Sequence, residues 1–182
     1  MRSILLNKWL AMLAVAGVQS GVLGYIVVER ALLIRDGREI VLDVRPVDPR
    51  SVFRGDYVIL DYGDVTLLGS SVAGDLPKNK QALFVKLRKG GEGWQPVTAT
   101  AIYPSDVDGD EVVLKGMLSS RHSRQVRYGI ESYFVPEGEG KQLEKLIGKG
   151  QLRVIVAVGA GGQAAIKGLE VEGKSVYMEP LL

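Results

Sequence analysis

A mainly β fold carried on a single N-terminal transmembrane helix is what the sequence predicts, the domain being barrel- or sandwich-like with one short helix. Three observations lead there. Residues 9–28 form a run of about 20 residues without a charge, the length a helix needs to cross a ~30 Å hydrocarbon core. Beyond it the chain breaks into short stretches of alternating apolar residues separated by Gly, Pro and Asp, the pattern of strands and their connections. Only residues 139–147 show helical spacing there, with Leu143, Leu146 and Ile147 on one side. At 182 residues, 46% apolar and 24% charged, the chain suits one compact domain and is not a bundle of membrane helices.

The anchor comes first. Trp9 and Tyr25 sit near the two ends of the uncharged run, where amphipathic rings favour the membrane interface. Lys8 closes it on one side and Glu29-Arg30 on the other. A cleaved signal peptide has a shorter apolar region of roughly 7–15 residues ending at a small-x-small site. Ala14-Val15-Ala16 has that shape but lies in the middle of the run, so an uncleaved anchor is expected. Ala14, Gly17, Gly21 and Gly24 form a small-residue stripe containing a GxxxG pattern. Such a face lets two helix backbones approach closely in lipid, and Gln19 adds a polar group that prefers a partner there. Association with another integral membrane protein, or with a second copy, is the expectation. Lys/Arg counts on the two sides of the span nearly tie. A long following domain translocates largely regardless of charge, so the N-terminus is placed inside and the domain outside, on the periplasmic or other extracytoplasmic side of a bacterial cytoplasmic membrane. Residues 1–34 are then tail and anchor, and 35–182 the domain.

Within the domain, 31–34 extend the anchor helix briefly and Asp36-Gly37 is a turn. Strands are expected at 40–44, 56–62, 83–87, 95–103, 111–118, 124–135, 152–158, 164–171 and 175–178. The helix at 139–147 opens on Glu137 and Glu139, has Lys145 near its end and Gly148 as cap. Residues 63–80 show no clear strand; they are either a flexible loop or a hidden element.

Composition excludes several functions. Two of the 23 basic residues precede Glu29, and the other 21 balance the 21 acidic ones. A nucleic-acid binder needs a positive surplus to replace counterions, so no nucleic acid is expected. With no cysteine and one histidine there is no disulfide framework, thiolate metal site or Cys nucleophile. Gly159-Ala160-Gly161-Gly162 follows a strand like a dinucleotide loop, but a strand rather than a helix follows it, so it is a hairpin. The run 106–111 has the composition of a calcium loop, yet Glu111 and Met117 stand where Gly and Glu are required; a solvated turn is the better reading. His122 has no orienting group or second ligand beside it and is a loop residue. No catalytic set, metal or cofactor is assigned. Arg45, Arg50 and Arg54 crowd one connection and Arg121, Arg124 and Arg127 another, a weak case for an anionic headgroup or acidic partner.

The most distinctive run is 48–62, whose core is Gly55-Asp56-Tyr57-x-x-Leu60-x-Tyr62. It resembles the signature of the bacterial membrane-anchored GDYXXLXY family. The run 128–140, with Tyr128, Tyr133 and Glu137, is similar to that family too, as is the order of one anchor followed by a β-rich domain. The resemblance implies an accessory membrane protein, often found with multi-spanning partners, and no established activity. In physical terms Gly55-Asp56 turns the chain into a strand. Val58, Leu60 and Tyr62 share one face of it and Tyr57 and Ile59 the other. With both faces apolar, the strand is expected to be central and buried. Asp56 is placed to accept backbone N–H groups of its own connection or to pair with Arg50 or Arg54.

A fainter similarity is to type I signal peptidases, which use a Ser nucleophile and a Lys base beside the membrane. Val47 stands where their serine would be; Ser51 is displaced, and Lys86 is a base only by analogy. The function expected is therefore a non-enzymatic, membrane-anchored accessory or binding protein. The alternatives are a divergent hydrolase built on Ser51 and Lys86, or a lipid- or small-ligand-binding module with Tyr57, Tyr62 and Tyr133 in its pocket. Arg50, Arg54, Tyr128, Tyr133 and Glu137 are the candidate binding residues.

Overall fold

Because residues 9–28 are uncharged and carry apolar side chains all round the helix, with Gln19 and Ser20 the polar exceptions, nothing restricts helix there to one buried face. The computed structural model describes residues 2–45, 57–77, 81–91, 93–120, 122, 124–134 and 140–178. Helix α1, Arg2–Asp36, continues through the span and for two turns beyond Val28. Its segment Lys8–Asp36 is long and apolar enough to cross a membrane. Side chains 8–30 stand exposed, whereas Ile34 is buried against the domain. The helix ends where Gly37 N–H donates to Leu33 O at 2.9 Å. A Cβ on Gly37 would lie 2.4 Å from that same oxygen, which explains glycine at this turn.

The domain is mainly β. Strands β1 (Arg38–Asp43), β8 (Leu152–Val158), β9 (Ala164–Val171) and β10 (Lys174–Met178) form an antiparallel sheet in the order β1-β8-β9-β10. Strands β3 (Ala82–Gly90), β4 (Gly93–Thr100), β5 (Glu111–Ser120) and β6 (Gln125–Arg127) form a second, in the order β4-β3-β5-β6. Together they curl into a half-barrel around Ile40, Leu42, Leu83, Val85, Leu114, Val154 and Val156. Lys115 N–H donates to Gly162 O at 2.7 Å and ties β5 to the tip of the β8–β9 hairpin. Gly162 has φ +82°, and a Cβ there would lie 3.0 Å from Lys115 N. That tight tip is the hairpin expected at 159–162.

Strand β2 is Tyr57–Ile59 and pairs with β7, Ser132–Phe134. This corrects the expectation of a central strand: among the described residues β2 has one partner, in a two-stranded ribbon. Val58, Leu60 and Tyr62 are buried while Ile59 is half-buried. The strand is buried by what covers one face, not by neighbours on both edges. The segment expected as one strand at 124–135 is two, β6 and β7. Gly129 at φ +80° turns the chain between them, and the Glu131 carboxylate accepts from the N–H groups of Tyr128 and Gly129. The strand expected to reach residue 103 stops at Thr100, leaving Ile102 and Tyr103 in the long β4–β5 connection.

Residues 63–77 are a packed connection. A 3-10 turn, Gly63–Val65, is followed by isolated bridges Leu67–Gln125 and Ala73–Thr98, with Val65, Leu68 and Val72 buried. Helix α2, Gly140–Gly148, presents Leu143 and Ile147 to the core. Its cap is not Gly148. Gly150, at φ +67°, is the left-handed residue, with Gly150 N–H donating to Ile147 O and Gln151 N–H to Leu146 O. That is the paired-bond ending of a helix, two residues further on.

Candidate functional site

The signature strand faces inward. Tyr62 is buried and its hydroxyl donates to Ile130 O at 2.6 Å. Tyr128 is buried and donates to Val65 O at 2.7 Å. The two phenols thus pin the β2 exit and the β6–β7 turn to each other across the core, and Tyr133 is buried beside them. Burial pushes both hydroxyls well above the usual tyrosine range, so they remain donors. Tyr62, Tyr128 and Tyr133 thus take part in the packing of the fold, and Tyr62 also borders a small depression with Leu42, Arg45 and Trp94. Gly55, Asp56, Arg50, Arg54, Ser51 and Glu137 lie outside the described residues, as does the side chain of Tyr57. Tyr62→Phe and Tyr128→Phe each leave a buried carbonyl without its donor. Each is expected to cost about 1–2 kcal/mol, read as a lowered urea midpoint at unchanged slope.

A cleft opens instead where α1 meets the domain. One wall is α1 from Glu29 to Asp36, with Leu32 and Leu33; the other is the β4–β5 connection, with Tyr103 and Val107. Its floor is Val113, Val158 and Ala160, and its volume is about 510 Å³, within the 300–1,000 Å³ of ordinary ligand sites. The walls are held in place. Arg30 Nη1 donates to Ala164 O at 3.1 Å. Arg38 Nη1 and Nη2 donate to the carbonyls of Glu111 and Gly109, both at 2.6 Å, and its guanidinium lies over Trp94. Tyr103 packs edge-on against Phe84. Gln163 adds a polar group, and the lining contains no serine, threonine or lysine.

At the far end of the cleft lies Glu111, which sequence reasoning left in a solvated turn. It is fully buried. Arg88 Nη2 and Nε donate to its Oε1 at 2.6 and 3.1 Å. Asp108 N–H donates to Oε2 at 3.2 Å, and Lys86 Nζ lies 3.1 Å from the same oxygen. The Asp108 N–H, then Arg88 and Lys86, hold this carboxyl down at about 2 against the opposing push of burial. Lys86 is raised in turn, chiefly by its hydrogen bond to Glu111. Lys86 is thus engaged in ion pairs with Glu111 and Asp106. Arg45 pairs with Asp64 at 3.0 Å and Arg124 donates to Val72 O at 2.9 Å; both serve the domain's own connections. His122 lies exposed in the β5–β6 turn. No cluster of metal-ligating side chains occurs among the described residues.

Gly17, Gly21 and Gly24 share one face of α1, with nothing within 4 Å of a Cβ built on any of them. At about 100° per residue Gln19 lies on the opposite face.

A β-rich domain docked on the end of one long apolar helix, with a cleft at the junction, defines the class. The chain belongs to the GDYXXLXY protein family, whose model matches residues 19–169, from mid-helix into β9. No curated protein and no solved structure matches it.

Proposed function

We propose that this chain is a non-enzymatic, single-pass accessory protein of the bacterial cytoplasmic membrane, with its domain on the periplasmic side, which associates through α1 with another integral membrane protein. The observation that carries this is the bare helix. Side chains 9–28, apolar except for Gln19 and Ser20, are exposed on every face, and the domain covers only the turns beyond them. In water so large an apolar surface is a strong association liability; in a bilayer it is ordinary. The glycine face then admits a second helix closely, while Gln19 on the other side finds its own polar partner. The held, apolar cleft and the ion-paired Lys86 support binding over catalysis.

The test is co-purification of tagged full-length protein from native membranes in mild detergent, beside a Gly17→Leu, Gly21→Leu double variant. An integral membrane partner in stoichiometric amount is expected, lost or reduced at least tenfold in the variant, which corresponds to about 1.4 kcal/mol of packing. The domain keeps its fold, because those glycines touch nothing in it. The same partners with both proteins, or none with either, overturns the reading.

A further inference from the structure

We propose that the β4–β5 connection is a second membrane contact: Ile102 and Tyr103 rest in the headgroup layer of the leaflet beside α1, fixing the domain against the bilayer. The inference rests on α1 spanning the membrane as proposed above.

Depth is the first argument. The uncharged run ends at Val28, and Glu29 and Arg30 follow it within about 3 Å along the helix axis. A bilayer is about 40–45 Å thick against ~30 Å of hydrocarbon, which leaves about 5–8 Å of headgroup layer on each side. Glu29 and Tyr103 line the same cleft, and Arg30 Nη1 donates to Ala164 O at 3.1 Å. The connection and the root of the β8–β9 hairpin are thus both held beside the first turn past the span. No hinge intervenes, because α1 runs unbroken to Asp36 and Ile34 is buried against the domain.

Direction is the second argument. Thr100, where the connection begins, pairs with Phe84, and Phe84 pairs with Lys115. Lys115 N–H in turn donates to Gly162 O at the hairpin tip. The other end of the connection belongs with the end of α1, since Arg38 donates to the carbonyls of Gly109 and Glu111. The charged groups gather at that second end. Asp106 lies 3.4 Å from Lys86 and Asp110 lies 4.0 Å from Arg88. Residues 100–105 carry no charge at all.

Chemistry is the third. Ile102 is 79% exposed and Tyr103 40%. Tyr103 meets Phe84 edge-on at 5.6 Å, and Lys115 Nζ lies 6.0 Å from the centre of the same ring. An apolar tip, a ring with a polar hydroxyl and an exposed lysine together suit a membrane–water boundary, where the ammonium reaches lipid phosphate. Every phospholipid supplies that phosphate, and Glu29 and Arg30 bring one charge of each sign to the end of the span. The contact therefore selects no headgroup.

The chain has no cysteine, so one introduced thiol carries a fluorophore without competition. Full-length Ala101→Cys, Val22→Cys and Lys174→Cys are labelled with a nitrobenzoxadiazole probe in nanodiscs of phosphatidylethanolamine and phosphatidylglycerol. Quenching is compared for lipids with a nitroxide near the ester or at mid-chain. Ala101 is exposed beside Ile102, Val22 stands in the span and Lys174 is exposed at the β9–β10 turn. The probe at Val22 is expected to be quenched best at mid-chain. That at Ala101 is expected to be quenched best by the shallow nitroxide, at a depth of about 5–10 Å, and that at Lys174 by neither. Ile102→Asp, at so exposed a position, leaves the urea midpoint unchanged and abolishes the shallow quenching at Ala101. An Ala101 probe quenched no more than the Lys174 one, or quenching that survives Ile102→Asp, overturns this contact and spares the anchor. A Val22 probe that mid-chain nitroxide does not quench overturns the anchor reading and this contact together.

Discussion

Leu60→Ala is expected to lower the stability of the full chain by about 2–5 kcal/mol, measured as a fall in urea midpoint with the slope unchanged. Leu60 is 1% exposed and sits among the buried side chains of the core. Its N–H donates to Glu131 O at 2.9 Å, so the backbone around the lost side chain is held and cannot collapse into the gap. The cost therefore includes a cavity as well as lost transfer energy. Ile59, half-buried on the other face, supplies the comparison: Ile59→Ala is expected to cost less than half as much. Equal costs would mean that both faces of the strand are buried, as its sequence first suggests, and that the one-sided ribbon is wrong. The result bears on the signature as a whole. If Leu60 and Tyr62 act through the core, variants at these positions reduce function only in proportion to the folded protein they leave.

The strands legible in the sequence are those whose pairing is local. β8 and β9 were expected at 152–158 and 164–171 and occupy those spans, because a glycine-rich turn joins two stretches of clear alternation. The β2–β7 ribbon joins Tyr57 to Phe134, and no local pattern records a partner so distant. Its apolar residues on both faces imitate a central strand; the pairing shows that one face meets the core and the other is half-covered. The break between β6 and β7 did have a signal. Gly129 followed by Glu131 pairs a left-handed turn residue with a carboxylate able to cap it, and alternation alone read through it.

The cleft was not legible, for a related reason. Its walls come from the end of α1, the β4–β5 connection and the β8–β9 tip, three segments that periodicity treats separately. Tyr103 was assigned to a strand, although Pro104 after it and the missing alternation favour a connection. Glu29 closes the uncharged run in the sequence, but nothing there shows that it also lines a cleft.

Glu111→Gln is expected to destabilise the chain at neutral pH and to lose most of that effect in acid. Glu111 follows Asp106, Asp108 and Asp110, so composition reads it as one more solvated acid. Its real environment appears only when β3 and β5 are paired, because Arg88 is then directly opposite it and Lys86 lies two residues along on the same face. The carboxyl titrates at about 2 in the folded chain against 4.5 when free. A group whose folded value is depressed stabilises fully above its unfolded value. That contribution is lost as pH falls from about 4.5 toward 2. Urea midpoints of the two proteins should therefore differ most at pH 6–8 and converge between about pH 4 and 2, where protonated Glu111 and glutamine are close to isosteric. Glu39→Gln, which removes an exposed pair with Lys167, should move the midpoint little at any of these pH values. A Glu111 difference that stays constant from pH 7 to pH 3 would show that the side chain acts through shape, with its charge contributing nothing. Convergence would show that the charge network fixes the β4–β5 connection, and with it the cleft wall that carries Tyr103 and Val107. Glu111→Gln should then also loosen that wall at neutral pH, measurable as faster hydrogen exchange at 101–110.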